Sequence, residues 1–443
     1  MPAKLKAAGN PSKGFFIRMI TRDISLTDCM LDLLDNSVDG INRLKHGVSN
    51  GNGNASRYTG FDVKIKFAER SFSISDNCGG IPIKIAQEYA FRFGRPDDVI
   101  EDSGQSIGLY GIGMKRAMFK MGKGINLVTS TGQESFSLDI DVDKWRDREP
   151  ETDWDFDLTD VKRSGTDVAA GTTITIHKLY PGIKRDFETP AFAIDMNHTV
   201  ERDYAFILQQ GLEIRVNDKK AKPIMPSFRE SELIAPMKIT KKIGDVNIEI
   251  SAGLATPPPE DESSDANLPD MDVYGWYVVC NDRVVVTADK TALSGWGTPG
   301  VGMWHPQYYG FLGVARFDSH SPDLLPWKTT KRDVDPSSTI YKTALLMMKE
   351  ASAKFIEYTN KRKVELKKAR EIERAAPTKS VLQVARRDTM KLPIIATGGM
   401  TRICYNKPTA DVEAVAKALG MRNASPRAVG IRTFDYVKEK EVE

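Results

Sequence analysis

The sequence predicts an α+β chain: an N-terminal α/β layer on a largely antiparallel sheet, a second mixed unit, and a helical C-terminal region. Three observations carry that prediction. At 443 residues the chain exceeds one ordinary core, so two or three domains are expected. An amphipathic segment, Leu26 to Gly40, precedes short alternating strands rather than another helix. A long basic helical stretch then begins near Thr339, after the last strand-like run.

The stretch LTDCMLDLLDNSVDG, read as a helix, sets Asp32, Asp35, Asn36 and Asp39 on one face. Leu26, Met30, Leu33, Leu34 and Ile41 fall on the other side, and Ser25 to Asp28 can cap its start. Alone, such a helix reads first as a solvated surface element, and second as a face that holds a cation and orients a water.

Composition is that of a globular protein, 40% hydrophobic and 28% charged. No apolar run approaches the length of a membrane span, and the Lys-rich start has no apolar signal segment. Cys29, Cys78, Cys280 and Cys404 form no metal spacing, which points to a reducing, cytoplasmic setting without structural zinc. The formal charge of +3 is uneven. From Lys361 onward nineteen Lys/Arg face ten Asp/Glu, which gives +9 there and −6 over the other 360 residues. A basic tail on an acidic body points weakly to nucleic acid, and equally to a solvated charged helix.

Residues 1–22 read as a polar arm anchored by Phe15, Phe16, Met19 and Ile20. A Gly/Asn/Ser-rich break spans 47–60. Phe61, Val63, Ile65 and Phe67 alternate with polar residues, as do Phe72 and Ile74, so two strands are expected. The second runs into Asp76-Asn77-Cys78-Gly79-Gly80-Ile81. Residues 85–93 read as a helix, 94–107 as a mobile loop, and the Gly-rich run from Gly108 to Lys115 as the opening of a helix that ends near Gly122. Strands are expected at 125–130, 134–141 and 172–179, closing the first layer near residue 185. A helix at 200–210 and a strand at 212–216 start the second unit. It continues with an acidic Pro-rich insert at 257–270 and strands at 274–280, 284–287 and 311–317. Residues 339–376 read as one helix, and 412–419 as another.

Singly, each Gly-rich piece is a weak signal. Together they carry a chemistry. A strand-terminal Asp accepts from an exocyclic amine, and a Gly-rich loop opening a helix presents free amides to phosphates. A helix bearing Asn and carboxylates offers oxygens to Mg²⁺ and to a water. In this order the segments resemble the GHKL ATPase superfamily of Hsp90, MutL, type II topoisomerase ATPase domains and MORC proteins. LLDNSVDG looks like the N box, DNCGGI the adenine box, GLYGIGMK the phosphate-lid box, and GTTITI the final Gly-Thr strand, all within residues 25–179.

That resemblance implies a Bergerat-fold ATP-binding α/β sandwich, a ribosomal-S5-domain-2-like transducer domain and a C-terminal helical region. The expected domains are 1–185, 186–340, a basic helix at 341–376, and a small module at 377–443. It implies ATP and Mg²⁺ as cofactors, with Asn36 matching the metal ligand and Asp76 the carboxylate that reads adenine. Asp39, Gly80 and Ile81 fall within the matching boxes. So do Gly108, Leu109, Tyr110, Gly111, Ile112, Gly113, Met114 and Lys115, with Lys115 beside the phosphates. Thr172 or Thr173 matches the threonine near the adenine contact. Asp32 stands where relatives carry a Glu general base. It is one methylene shorter, so slow hydrolysis is expected. Cys78 replaces the first glycine of the adenine box.

No histidine precedes residue 25, so the phospho-acceptor of a histidine kinase is missing from that arm. The VVCNDRVV and PWKTTKRD segments look like a transducer domain, with Lys331 the candidate switch lysine and Lys328 its rival. The implied activity is an ATP-driven clamp that forms homodimers on ATP and couples to a partner, DNA or protein, with no membrane attachment. The competing expectation is a nucleotide-gated interaction module with negligible turnover.

Overall fold

The computed structural model describes residues 11–45, 57–93, 112–149, 153–259, 273–328, 330–393, 403–421 and 424–442. The phosphate-lid glycines Gly108 and Gly111, with Leu109 and Tyr110, lie outside the described residues, as do the whole 94–107 loop and most of the acidic insert. The chain divides into two compact units, Met1–Ile395 and Ala396–Glu443.

The first unit opens with α1 (Lys13–Arg22) and α2 (Leu26–Leu44). Ser25 caps α2, its hydroxyl accepting from the Asp28 amide and donating to the Asp28 carboxylate at 2.7 Å. Strands β1 (Asp62–Ala68) and β2 (Ser71–Asp76) form a hairpin. Val63, Ile65 and Phe67 are buried while Lys64 and Lys66 face water, so the sheet has one wet side. The expected helix at 85–93 is a single turn, α3 (Ile83–Ile85), running into a π turn that ends at Ala90. Then come α4 (Gly113–Met121), β3 (Gly122–Ser130), β4 (Ser135–Asp141), α5 (Val142–Arg146), β5 (Leu158–Lys162) and β6 (Gly171–Leu179). Helices α6 (Pro181–Glu188), α7 (Pro190–Asp203) and α8 (Ala205–Gln209) follow, broken at Tyr204 where one helix was expected.

Strands β7 (Glu213–Val216) and β8 (Lys219–Lys220) then return to the same sheet, β7 pairing parallel to β1. The eight strands lie in the order β5-β4-β3-β6-β2-β1-β7-β8. Helices α2 and α4 pack on each other over the buried side. Phe187 of α6 stacks on Phe67 at 4.8 Å, so the same apolar layer continues under the far end of the sheet.

After β9 (Ser227–Arg229), a second sheet is ordered β10-β11-β14-β12-β13. It is built from β10 (Met237–Ile243), β11 (Val246–Leu254), β12 (Gly275–Cys280), β13 (Arg283–Asp289) and β14 (Phe311–Asp318). β12 is buried along its whole length because both faces are covered. Trp276 donates to Ser352 Oγ of α9 (Thr339–Lys361) at 3.0 Å, while Tyr277 and Val279 join a separate cluster with Phe206, Phe228 and Val381.

The expected helix at 339–376 is two helices. A 3₁₀ turn, Arg362–Glu365, separates α9 from α10 (Leu366–Ala375). The cause is a buried ion pair, Arg362 to Glu373 at 2.8 Å. Eleven residues along a straight helix would hold these groups about 16 Å apart. Tyr358 also donates to Glu373, at 2.6 Å. Beyond α10, β15 (Thr378–Ser380) pairs with β9.

The second unit holds α11 (Thr409–Ala418) and α12 (Pro426–Glu441), which pack together. Ser425 caps α12. Among the described residues of the chain, no helix is long and apolar enough to cross a membrane.

Candidate nucleotide site

The polar face of α2 lies against the root of the Gly-rich loop. Asp32, Asp35 and Asp39 are all buried, as their spacing on one helix face demands once α4 covers it. Gly113, the first residue of α4, packs directly on Asp32. A Cβ there would stand 3.2 Å from the Asp32 carboxyl carbon, so glycine is what lets the two helices approach. Ile112 and Met114 flank that contact, half-buried.

Asp32 meets a cation that sequence reasoning passed over. Arg116 reaches its Oδ2 at 2.6 Å. Burial raises the Asp32 pKa, opposed by Lys331 and by Arg116 itself. The raised value makes this carboxylate a better proton acceptor than an exposed Asp. The signal in the sequence was the second base of the Lys115-Arg116 pair. Lys115 turns inward instead: its ammonium donates to the Ala90 carbonyl at 2.8 Å and lies over the Phe93 ring. Burial lowers its pKa to about 7.

Asp35 is the hub of the buried polar network. Its Oδ1 accepts from Tyr204 at 2.5 Å and faces the Arg283 guanidinium at 3.4 Å. Its Oδ2 accepts from Lys331 Nζ at 2.8 Å. Burial pushes the Asp35 pKa up, but Lys331 and Arg283 outweigh it and the net direction is down. Lys331 is itself only 7% exposed, and the carboxylates of α2 overcome its burial to raise its pKa. Its rival Lys328 pairs with Asp333 on the loop surface. Arg283 stacks on Tyr204 at 4.3 Å and also faces Asp203, at 3.3 Å. Neither Arg283 nor Tyr204 was singled out from the sequence, since a lone Arg in a hairpin and a Tyr at a helix break carry no motif.

Asp76 closes the other end. Its Oδ2 accepts from Ser37 at 2.6 Å, and its Oδ1 from the amides of Cys78 and Thr172 at 2.9 and 3.1 Å. Burial raises its pKa despite those three bonds. The register sets one of the two candidate threonines opposite Asp76. Thr172 pairs with Asp76, and its hydroxyl meets Thr129 at 2.9 Å; Thr173 pairs with Ser75 and is exposed. The Thr129 hydroxyl also accepts from the Ile81 amide. Gly80 has φ +70°, and a Cβ there would stand 2.0 Å from the Ser130 carbonyl, so this turn admits no side chain. Cys78 is buried and burial pushes its thiol pKa up, which marks a packing role rather than a reactive one.

Among the described residues, two buried donors at this face, Asn36 Nδ2 and Arg116 Nε, have no hydrogen-bond partner. Unsatisfied donors are costly, and both suit an anionic, oxygen-rich ligand. Among the described residues, no group of three or more His, Cys, Asp or Glu could hold a metal.

A family model described as histidine kinase-, DNA gyrase B-, and HSP90-like ATPase matches residues 24–167. That span contains α2, α4, the adenine-box turn and strands β1–β5, and it places this region in the GHKL ATPase superfamily. A domain of this kind implies nucleotide binding. No curated protein matches the chain.

Proposed function

We propose that the chain is an ATP-hydrolysing clamp whose second sheet reads the state of the nucleotide. One observation carries this reading: Lys331, 296 residues from Asp35 in sequence, sits on the polar face of α2 at 2.8 Å. A cation delivered there by a distant loop is suited to sensing a terminal phosphate. Asp76, Thr172, Gly80 and Ile81 would hold the adenine end. Ile112, Gly113 and Met114, with Gly108 to Gly111 before them, would frame the phosphates. Lys115 anchors that root through Ala90. Asn36 would supply the protein ligand to Mg²⁺, with Asp39 beside it, and the ion neutralises and orients phosphate oxygens when bound.

In the hydrolytic step, water attacks the terminal phosphorus and its proton passes to Asp32. The bond to the bridging oxygen breaks with its electron pair leaving on ADP, and the products are ADP, phosphate and a proton. We assign residues 1–185 to the nucleotide domain and 186–340 to its transducer, with β7 and β8 of the second segment paired into the first sheet. The rest of the cycle is homodimerisation on ATP and coupling to a partner, in a compartment where the buried Cys29, Cys78 and Cys280 stay reduced. DNA contact through Lys361, Arg362 and Lys363 is weakened by the buried Arg362–Glu373 pair and by Lys361 pairing with Glu357.

ATP turnover and ATP-dependent dimerisation test the reading. Asp32→Ala should abolish turnover while keeping nucleotide affinity, and Lys331→Ala should reduce both turnover and dimerisation. Equal turnover in wild type and Asp32→Ala would sink it. The second reading, a nucleotide-gated interaction module without turnover, draws on the shortness of Asp32 and its capture by Arg116. It is favoured if wild type binds ATP and hydrolyses none.

A further inference from the structure

We propose that Arg116 is a positioning residue that ties the base Asp32 to the terminal phosphate, so that the two are aligned by one guanidinium. The inference rests on the ATPase reading above and adds a residue to it. Four observations converge. Among the described residues, Arg116 holds Asp32 through Oδ2, at 2.6 Å, which leaves the other carboxylate oxygen as the one to receive a water. Among the described residues, Arg116 Nε is buried without a partner, so the fork has a donor still to place. The Asn36 amide, one turn along α2 from Asp32, has a second unplaced donor, Nδ2. Arg116 also belongs to the first turns of α4, whose opening residue Gly113 rests on the same carboxylate.

The chemistry follows from geometry. A carboxylate one methylene shorter than Glu reaches less far and has fewer ways to reorient once buried. A planar guanidinium compensates by fixing it, since it can bind a carboxylate on one edge and a phosphate oxygen on another. A lysine, a point donor, keeps the charge but cannot bridge two acceptors with the same rigidity. Arg116 would therefore affect the chemical step and the distinction between tri- and diphosphate more than affinity for the nucleoside.

The experiment uses the full chain with Mg²⁺ and compares wild type, Arg116→Gln and Arg116→Lys. Calorimetric titration with ADP and with a non-hydrolysable imido analogue of ATP gives binding, and phosphate release gives kcat and KM. The expected result for Arg116→Gln is a kcat lower by about 10²-fold. Its preference for the triphosphate analogue should fall by roughly tenfold, with ADP affinity and circular dichroism unchanged. Arg116→Lys should recover the analogue preference in part and kcat little. In an Asp32→Asn background, Arg116→Gln should lower kcat no further. A wild type that binds and hydrolyses ATP, with Arg116→Gln matching it in kcat and analogue preference, overturns the inference and leaves the ATPase reading intact. So do independent, multiplying losses in the double variant, or loss of the folded spectrum in both single variants. A wild type that binds neither nucleotide overturns the ATPase reading and this inference with it, and is seen without any variant.

Discussion

At the scale of single residues, Lys115 shows how burial turns a charge into a liability. Its pKa falls to about 7 in the folded chain, against about 10.5 when exposed. Between those values the unfolded chain binds the extra proton, so this group's contribution to stability rises with pH from about 7 to 10. Lys115→Met should flatten that rise, checked by urea midpoints at pH 7 and pH 9. A pH dependence equal to wild type would refute the assignment. Gly80→Ala is the steric counterpart. It forces a side chain into a left-handed position against the Ser130 carbonyl, and should cost about 1–3 kcal/mol in the same assay. Asn36, Asp76 and Asp32 stood out as candidates in the sequence because their boxes are contiguous. Arg116 was not, because its importance comes from α4 crossing α2, which no local pattern encodes.

Among the elements, α2 was legible to within a few residues, since a capping Ser, an apolar back and a polar front all agree. The hairpin turns at Asn217-Asp218 and Asn281-Asp282 were legible too, as all four residues take positive φ, which Asn and Asp tolerate. Strand β5 and the β10–β11 hairpin were missed. β5 is half-exposed or exposed throughout, and β10 exposes Thr240, Lys241 and Lys242, so neither shows a clean apolar stripe. The α9–α10 break was missed because Arg362 and Glu373 look solvated in sequence. Breaking that pair should be severe: Glu373→Ala leaves a buried guanidinium unpaired and should cost about 3–5 kcal/mol. Chemical denaturation of Glu373→Gln beside it would separate lost charge from lost packing.

For the whole first unit, the consequential feature is that the two sheets share one buried polar network. Asp35 of α2 meets Tyr204 at the α7–α8 break, Arg283 of β13 and Lys331 after β14. Those residues come from segments that sequence reasoning assigned to different domains; the family resemblance brought Lys331 to the site, but no pattern marked Tyr204 or Arg283. Calorimetry should therefore show one transition for residues 1–395 in wild type. Asp35→Ala, which strands Lys331 and Arg283, should split it into two. A single unsplit transition in that variant would show the sheets are joined by apolar contacts alone.

Lys331 also has φ +54°, a left-handed backbone that costs a side-chain-bearing residue about 1–2 kcal/mol. The ion pair with Asp35 therefore works as a catch on a compressed spring. Whatever draws the ammonium away from Asp35 recovers the steric energy as the loop relaxes, so the force needed to open the latch is smaller than the pair's own strength. Lys331→Gly removes catch and spring together, whereas Lys331→Ala removes the catch and keeps the spring compressed. Of the two, the alanine variant should be the less stable, by about 1 kcal/mol in thermal unfolding.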